Sequence, residues 1–296
     1  MSHVSVLLKE VIQYLSPKSN ENFIDCTLGA GGHSLAILKE TQPNGKLLGI
    51  DLNKGAIDGF NRKSQDLKIK PRVNLRNDNF FNLEKIAIKN NFFPVDGILV
   101  DLGLSSDLLE KSRKGFSFQK NEFLDMRFGQ EGLTAYEIIS QRSHLELEKI
   151  FKDYGEEKFS KEIAYGITRN RRHQKIRTTS DLVKIIEQSI PHNFSKKGKI
   201  KINARIFQAL RIAVNNELEN LKKVLTEGVN LLNHNGRIVI ISFHSIEDRI
   251  VKDFFRQKKQ ENILKILTKK PILSLPEEIK INQRSRSAKL RAALKI

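Results

Sequence analysis

The stretch Phe23-Ile24-Asp25-Cys26-Thr27-Leu28-Gly29-Ala30-Gly31-Gly32-His33-Ser34 reads as a buried strand, a glycine-rich turn and the start of a helix. A second apolar run follows, Leu47 to Asp51, and ends in an acid. Glycines in such a turn let the backbone approach a ligand, amides at the helix start face its polar groups, and an acid about 20 residues on can accept hydrogen bonds from ribose hydroxyls. The layout therefore predicts a site for a nucleotide-shaped cofactor.

The glycine pattern leaves the cofactor open. A dinucleotide fingerprint wants Gly-x-Gly-x-x-Gly, and Ser34 stands where the third glycine belongs. A cofactor without a pyrophosphate, such as S-adenosylmethionine, needs the close approach and the ribose acid but no diphosphate cradle. Three readings stay in play on these residues: a methyltransferase, a nicotinamide-dependent oxidoreductase, and an RNA-binding assembly factor that keeps a degenerate cofactor fold.

Working outward, apolar runs recur as Phe23 to Thr27, Leu47 to Asp51, Val73 to Phe80 and Gly97 to Leu102, with helical segments such as Ser34 to Glu40 and Leu83 to Asn90 between them. Alternation of this kind predicts a parallel sheet with right-handed crossovers. The rhythm stops after Asp101-Leu102-Gly103-Leu104-Ser105-Ser106. From about Asp107 to Ile202 the chain is charged and helical, with Leu145, Leu147, Ile150, Phe151 and Tyr154 near one face and Leu182, Val183, Ile185 and Ile186 behind a Thr179-Ser180-Asp181 cap. A long helix, Ala204 to Leu232, ends at Asn235-Gly236. Ile238 to Ser242 is the fifth strand, and the helix Ile246 to Gln257 follows it. Ile263 to Thr268 and Ala288 to Leu294 supply the last strands, antiparallel at one edge. The expected division is a discontinuous sheet domain, 1–106 and 203–296, split by a helical insertion, 107–202.

With 296 residues the chain can bury a sizeable core, and 52 Lys+Arg against 34 Asp+Glu give it a net charge of +18. An AT-rich genome would scatter such an excess, yet here it is clustered. Arg169 to Arg177, Lys196 to Arg205 and everything after Glu278 carry basic residues unopposed by acids. Clusters of this kind point to phosphates as partners. Cys26 is the single cysteine, so an intramolecular disulfide is excluded and a reducing compartment is the simpler inference. The N-terminus lacks a signal pattern and no apolar run reaches the ~20 residues of a membrane span. A soluble cytoplasmic protein with no membrane partner is expected. The 7 histidines show no Cys/His ligand spacing, so no metal is expected.

Several further motifs agree with one another. They are His3 with Val6-Leu7-Leu8 and Glu10, the glycine turn, Asp96 to Ser106, Arg113-Lys114-Gly115-Phe116-Ser117-Phe118, and Leu124-Asp125-Met126-Arg127. Tyr154-Gly155-Glu156-Glu157, Phe207 to Ile212, Ile241-Ser242-Phe243-His244-Ser245 with Glu247-Asp248-Arg249, and Arg284 to Arg291 complete the set. On these the chain resembles the bacterial small-subunit ribosomal RNA methyltransferase H family, also called MraW, over nearly its whole length. The resemblance implies a Rossmann-like class I S-adenosylmethionine-dependent methyltransferase sheet with an inserted all-helical domain that recognises substrate. It also implies methylation of the exocyclic 4-amino group of a decoding-region cytosine in 16S rRNA, on the small ribosomal subunit, and leaves a homodimer open.

Carried over by position, the family's cofactor contacts fall on Gly31, Gly32, His33, Asp51, Phe80, Asp101 and Leu108. The last is usually a glutamine, so only packing or a backbone contact carries over there. Ser5, Cys26 and Gln283 also depart from the family's usual residues. Asp101 is the candidate for orienting the amine and taking its proton, with Asp125 and His244 as lesser candidates. Cys26 is rejected as a nucleophile, because an amine target needs none. Arg113, Arg171, Arg172, Arg284, Arg286 and Arg291 are expected on RNA phosphates.

Overall fold

In the computed structural model, residues 5–104, 112–191 and 193–296 are described. His3, Ser105, Ser106 and the expected cofactor contact Leu108 lie outside them. The chain divides into two compact units, one of residues 1–103 and 219–296, the other of residues 104–218.

The first unit begins with helix α1 (Leu8–Leu15) and alternates β1 (Phe23–Asp25), α2 (Gly32–Glu40), β2 (Leu47–Asp51), α3 (Lys54–Asp66), β3 (Val73–Asn77), α4 (Leu83–Lys89) and β4 (Val95–Asp101). In the second unit follow α5 (Ala135–Gln141), α6 (His144–Gly155), α7 (Ser160–Asn170), α8 (Thr179–Gln188) and α9 (Lys196–Asn215). Helix α10 (Glu217–Leu231) leads back to β5 (Leu232–Ser242), α11 (Ser245–Gln260), β6 (Leu264–Ile266), β7 (Ile272–Leu273), α12 (Pro276–Ile281) and β8 (Lys289–Lys295).

The strands form one eight-stranded sheet in the order β3-β2-β1-β4-β5-β8-β6, with β7 also on β8. Strands β1 to β5 pair in parallel, and β8 runs antiparallel to β5, β6 and β7. The expected parallel sheet with an antiparallel region is therefore present. Strand β8 lies inside it rather than at its margin.

Period-two alternation sorts each strand between two apolar layers. Ile24, Leu48, Ile50, Ile98, Val100, Ile238 and Ile240 face the layer formed with α4, α10 and α11. Phe23, Leu47, Leu99, Val239 and Ile241 face the layer that contains α1, α2 and Phe60 of α3. The same alternation assigns Asp25, Asp51 and Asp101 to that second face. Close contact of the layers shows at Gly97, where a Cβ would lie 2.3 Å from the Phe23 ring and 3.3 Å from Leu15.

The second unit is a helical bundle around Phe151, Ile163, Ile167, Leu182, Ile186, Ile206 and Leu210. Three of its helices start with reciprocal capping boxes, Thr134 with Glu137, Ser143 with Glu146 and Thr178 with Asp181.

Several boundaries differ from expectation. Residues 203–218 belong to the helical unit rather than to the sheet, because Ile206, Phe207 and Leu210 enter its core. Gly155 also lets α6 approach α9 so closely that a Cβ there would lie 2.9 Å from the Arg205 carbonyl. The long helix is two helices, broken where Asn216 adopts φ 50. Strand β5 begins at Leu232 and runs through Asn235-Gly236, with a register irregularity opposite Val95 to Gly97. The cap of α8 is Thr178, one residue earlier than expected. Leu145 is 73% exposed, whereas Leu147 and Phe151 carry the apolar face of α6.

Replacing Gly97 with alanine forces the Phe23 ring off its site. Denaturant unfolding should show a loss of about 1–3 kcal/mol, the usual cost of overpacking a core.

Candidate active site

The site lies where three neighbouring parallel strands end in acids. Asp25, the last residue of β1, pairs with Gly49 of β2 and Leu99 of β4. Both neighbours run two residues further and end in acids, Asp51 and Asp101. The chain order reverses between β1 and β4, and open α/β sheets bind ligands beyond the carboxyl ends of the strands at such a point. Past Asp25 the chain stays between the two neighbours, Cys26 donating its amide to the Leu99 carbonyl and Leu28 to the Ile50 carbonyl, each at 2.9 Å, so the ligand recess expected at this switch point has Asp51 and Asp101 on either side and Asp25 buried beneath the turn.

The turn from Thr27 to Gly31 crosses this recess. Gly29 and Gly31 take positive φ, 50 and 75, and a Cβ on Gly31 would lie 2.0 Å from the Phe60 ring. Gly32 opens α2 beneath Ser5, whose Oγ lies 2.0 Å from where a Cβ would stand. Neither glycine tolerates a side chain, so backbone alone lines this part of the site.

The acids are held in defined roles. Asp51 accepts the Gly29 amide on Oδ2 at 2.7 Å and the Asn53 amide on Oδ1 at 2.7 Å, which ties the second strand to the turn. Burial raises its pKa despite these bonds. Asp25 accepts the Ser34 hydroxyl at 2.6 Å and the Thr27 amide at 3.1 Å, and burial still pushes its pKa up to about 6. Ser34 therefore does what a third glycine could not, because it bonds the carboxylate at the floor.

Asp101 donates its own amide to the Thr27 hydroxyl at 2.7 Å and accepts the Gly103 amide at 3.0 Å. The buried His33 ring places Nε2 3.8 Å from Asp101 Oδ2. Burial pushes the Asp101 pKa up to about 7, and the negative charges of Asp25 and Glu247 add to the rise. Phe80 opens a short 3-10 turn after β3 and packs partly against the sheet's apolar layer. Asp78 donates its amide to the Asp51 carbonyl at 3.2 Å, so the end of β3 is fastened to the same edge.

The lesser candidates have structural partners. His244 caps α11, accepting the Glu247 amide on Nδ1 at 3.4 Å, with Nε2 3.0 Å from that carboxylate. Asp125, in the helical unit, grips Arg127 through two bonds of 2.7 and 3.1 Å. Burial raises its pKa, but these bonds prevail and hold it below the usual carboxylate range. Cys26 is buried and burial drives its thiol pKa well up, which suits a core residue.

The basic residues separate into two groups. Arg113, Arg172 and Arg286 are exposed and Arg284 is partly exposed. Arg291 is a correction: only 7% exposed, it bonds Asp248 at 2.6 and 3.2 Å and faces inward from β8. Arg171 is also committed within its own unit, donating Nη1 to the carbonyls of Ile139 and Arg142 at 2.5 and 2.7 Å. A guanidinium that closes a helix end is poorly placed to clasp a phosphate. Two site residues escaped the sequence reading: Asp25 at the floor and Glu247, whose charge bears on Asp101. Their signal was an acid at a strand end and an acid three residues past a cap.

Two cavities of about 340 and 380 Å³ occur elsewhere, at the amino ends of the parallel strands, around Lys295 and around Arg72. Those cations already donate to main-chain carbonyls, Lys295 to Asn230 and Leu232, and Arg72 to Leu38 and Gly45.

A parallel sheet with this strand order, a glycine turn after the first strand and acids closing the second and fourth defines a Rossmann-like class I methyltransferase. The MraW methylase family model matches residues 1–296, and the chain belongs to that family. It is 44% identical over 310 residues to "Ribosomal RNA small subunit methyltransferase H" of Clostridium botulinum (strain Kyoto / Type A2), covering 99% of each chain. Proteins of the same name from Sulfurihydrogenibium sp. (strain YO3AOP1) and Clostridioides difficile (strain 630) are 44% and 41% identical, over 100% and 99% of each chain. A solved structure from Clostridium thermocellum, provisionally described as an rRNA methylase, aligns over 100% of both chains with a TM-score of 0.50 and 14% identity, and supports the fold.

The cofactor is S-adenosylmethionine, and the residues present fit it. It carries positive charge on sulfur and on its amino group, and the carboxylates of Asp25, Asp51 and Asp101, whose pKa values burial raises, offer it negative charge. Asp51, Asp101 and the Gly31-Gly32-His33 turn are the groups placed to hold it.

An elevated pKa means that ionising Asp101 costs folding energy, and a proton keeps that cost from being met. Its contribution to stability is therefore full below the ordinary value of 3.8 and is lost as pH rises through about 7. In thermal melts of the protein without cofactor, Asp101→Asn should gain on the native sequence across that window and hold a constant advantage above it.

Proposed function

We propose that this chain transfers a methyl group from S-adenosylmethionine to the 4-amino nitrogen of a cytosine in 16S rRNA, on the small ribosomal subunit in the cytoplasm. The observation that carries this reading is the full-length match, at 41–44% identity, to proteins named for methylation of small-subunit rRNA. No helix among the described residues is long and apolar enough to cross a membrane, which agrees with a ribosomal substrate.

When bound, the cofactor supplies a methyl group activated by a sulfonium. The chain's own residues must align the acceptor, exclude water and accept one proton. The cytosine amine is a weak nucleophile because its lone pair is delocalised into the ring. Asp101 meets this need by accepting an N–H of the amine, which localises the lone pair on nitrogen, and by taking the proton as the N–C bond forms. A pKa raised by burial to about 7 makes the carboxylate a better base than an ordinary aspartate, and the cofactor's positive charge beside it favours the ionised form. Thr27 and Gly103 fix its backbone and one oxygen, and the other lies 3.8 Å from His33 Nε2.

Asp51 serves the ribose in this reading, with each oxygen already steadied by one amide. Gly31, Gly32 and His33 contact the cofactor along the turn, and Phe80 flanks its base. The target cytosine must leave its stack to reach a methyl group held in a recess. The helical unit serves as the substrate-recognition domain, and Arg113, Arg172, Arg284 and Arg286 bind phosphates.

The test is transfer of labelled methyl to undermethylated small subunits, with the modified nucleoside mapped by mass spectrometry. A label on a cytosine amine is expected; a label elsewhere in the RNA, or none, would overturn the assignment. Arg172→Ala and Arg286→Ala should each weaken RNA binding and flatten its salt dependence by about one phosphate contact, with cofactor affinity unchanged.

A further inference from the structure

A flipped base needs a flat apolar face to replace the neighbours it has left, and aromatic side chains are the usual substitute. After β4 the described chain reads Leu102-Gly103-Leu104 and carries no ring. An aromatic side chain reaches the same place from the neighbouring strand. We propose that Phe243 stacks on the target pyrimidine and so holds the amine against Asp101, an inference that rests on the methyl-transfer reading above.

The placement follows from register. Asp101 pairs with Ile241 in the parallel β4–β5 ladder, and the Leu102 amide continues it by donating to the Ile241 carbonyl at 3.0 Å. Phe243 is two residues beyond Ile241, on the same face of the sheet as Asp101, and it is only partly buried against that face's apolar layer.

The contact with Gly103 gives the ring's position. A Cβ built there would lie 3.0 Å from Phe243 Cε2 and Cζ and 3.0 Å from Asp101 Oδ1. The outer end of the ring and the carboxylate assigned to the amine therefore border the same small space beside Gly103. Gly103 leaves both free to approach.

The ring's base is also rigid. The amides of Phe243 and His244 both donate to Glu247 Oε2, at 2.8 and 3.3 Å, and Glu247 is 3% exposed. His244 closes the arrangement as the helix cap. A ring that served only as core would gain nothing from keeping part of its surface exposed at the strand's carboxyl end. One that receives a base gains the remaining burial when substrate enters.

The test compares Phe243→Leu and Phe243→Tyr in the full-length protein, with turnover on undermethylated small subunits and calorimetric cofactor affinity as paired readouts. Leucine keeps apolar bulk but loses the flat face, and kcat/KM for subunits should fall about 10- to 100-fold, while tyrosine retains most of it. Cofactor affinity should stay at the native value in both. Should the leucine variant fail to fold, Phe243→Met carries the test: it keeps apolar bulk without a flat face and should lower turnover at native cofactor affinity. Native turnover in the leucine variant overturns the proposal, as does a cofactor affinity that falls in step with turnover, since the ring would then serve the cofactor. Absence of RNA methylation by the unsubstituted protein removes the function reading and this inference with it.

Discussion

The structure depends on how the first strand hands over to the glycine turn. Asp25 closes β1 beneath that turn, Cys26 and Leu28 keep the chain bonded to β4 and β2, and the acids Asp51 and Asp101 end the strands on either side. Burial raises the proton affinity of all three, and for Asp25 and Asp101 the neighbouring negative charges add to it. The protein keeps a cluster of like charges where its own stability would favour apolar groups. Such an arrangement is explained by a ligand that brings positive charge.

The remaining architecture serves that site. Two positive-φ glycines carry the chain over it, and Phe60 and Ser5 fill the space where side chains would otherwise stand. Ser34 ties the floor acid to the first turn of α2, and Thr27 ties the turn to β4. On the far side of Asp101, Glu247 and His244 fasten the exit of β5, which brings an aromatic ring to the site. Each of these contacts lies within the sheet unit. The helical unit has its own core and its own caps, and its motifs at Tyr154–Glu157 and Phe207–Leu210 are packing features: Gly155 admits α9, Glu157 pairs with Arg205 at 3.2 Å, and Gln208 donates to the Tyr154 carbonyl at 3.0 Å.

Much of the sheet was legible in the chain because buried parallel strands are short apolar runs ending in polar residues, and Leu47 to Asp51 is such a run without ambiguity. The start of β5 was not, since Asn235-Gly236 has the composition of a turn but lies within a strand that bulges against β4. Leu145 sits at helical spacing from true core residues and still points to solvent, because periodicity locates a face only to within a residue. Charge type was the least informative signal. Arg286 and Arg291 share one motif, yet the first is exposed and the second is locked to Asp248, and only tertiary structure separates them. Phe243 stood in a recognisable motif, but its use depends on the β4–β5 register, which no local pattern encodes.

The sulfonium cofactor brings positive charge to a site lined by buried carboxylates, and Asp101 is the group that should respond to it. Calorimetric binding of S-adenosylmethionine in buffers of different ionisation enthalpy tests this directly. A cation entering beside Asp101 should expel the proton held there, so binding near pH 7 should release a fraction of a proton and binding well above it should release none. Neutral-sulfur S-adenosylhomocysteine should release less and bind more weakly at the same pH. Equal affinities for the two ligands, with no proton released by either near pH 7, would contradict the account.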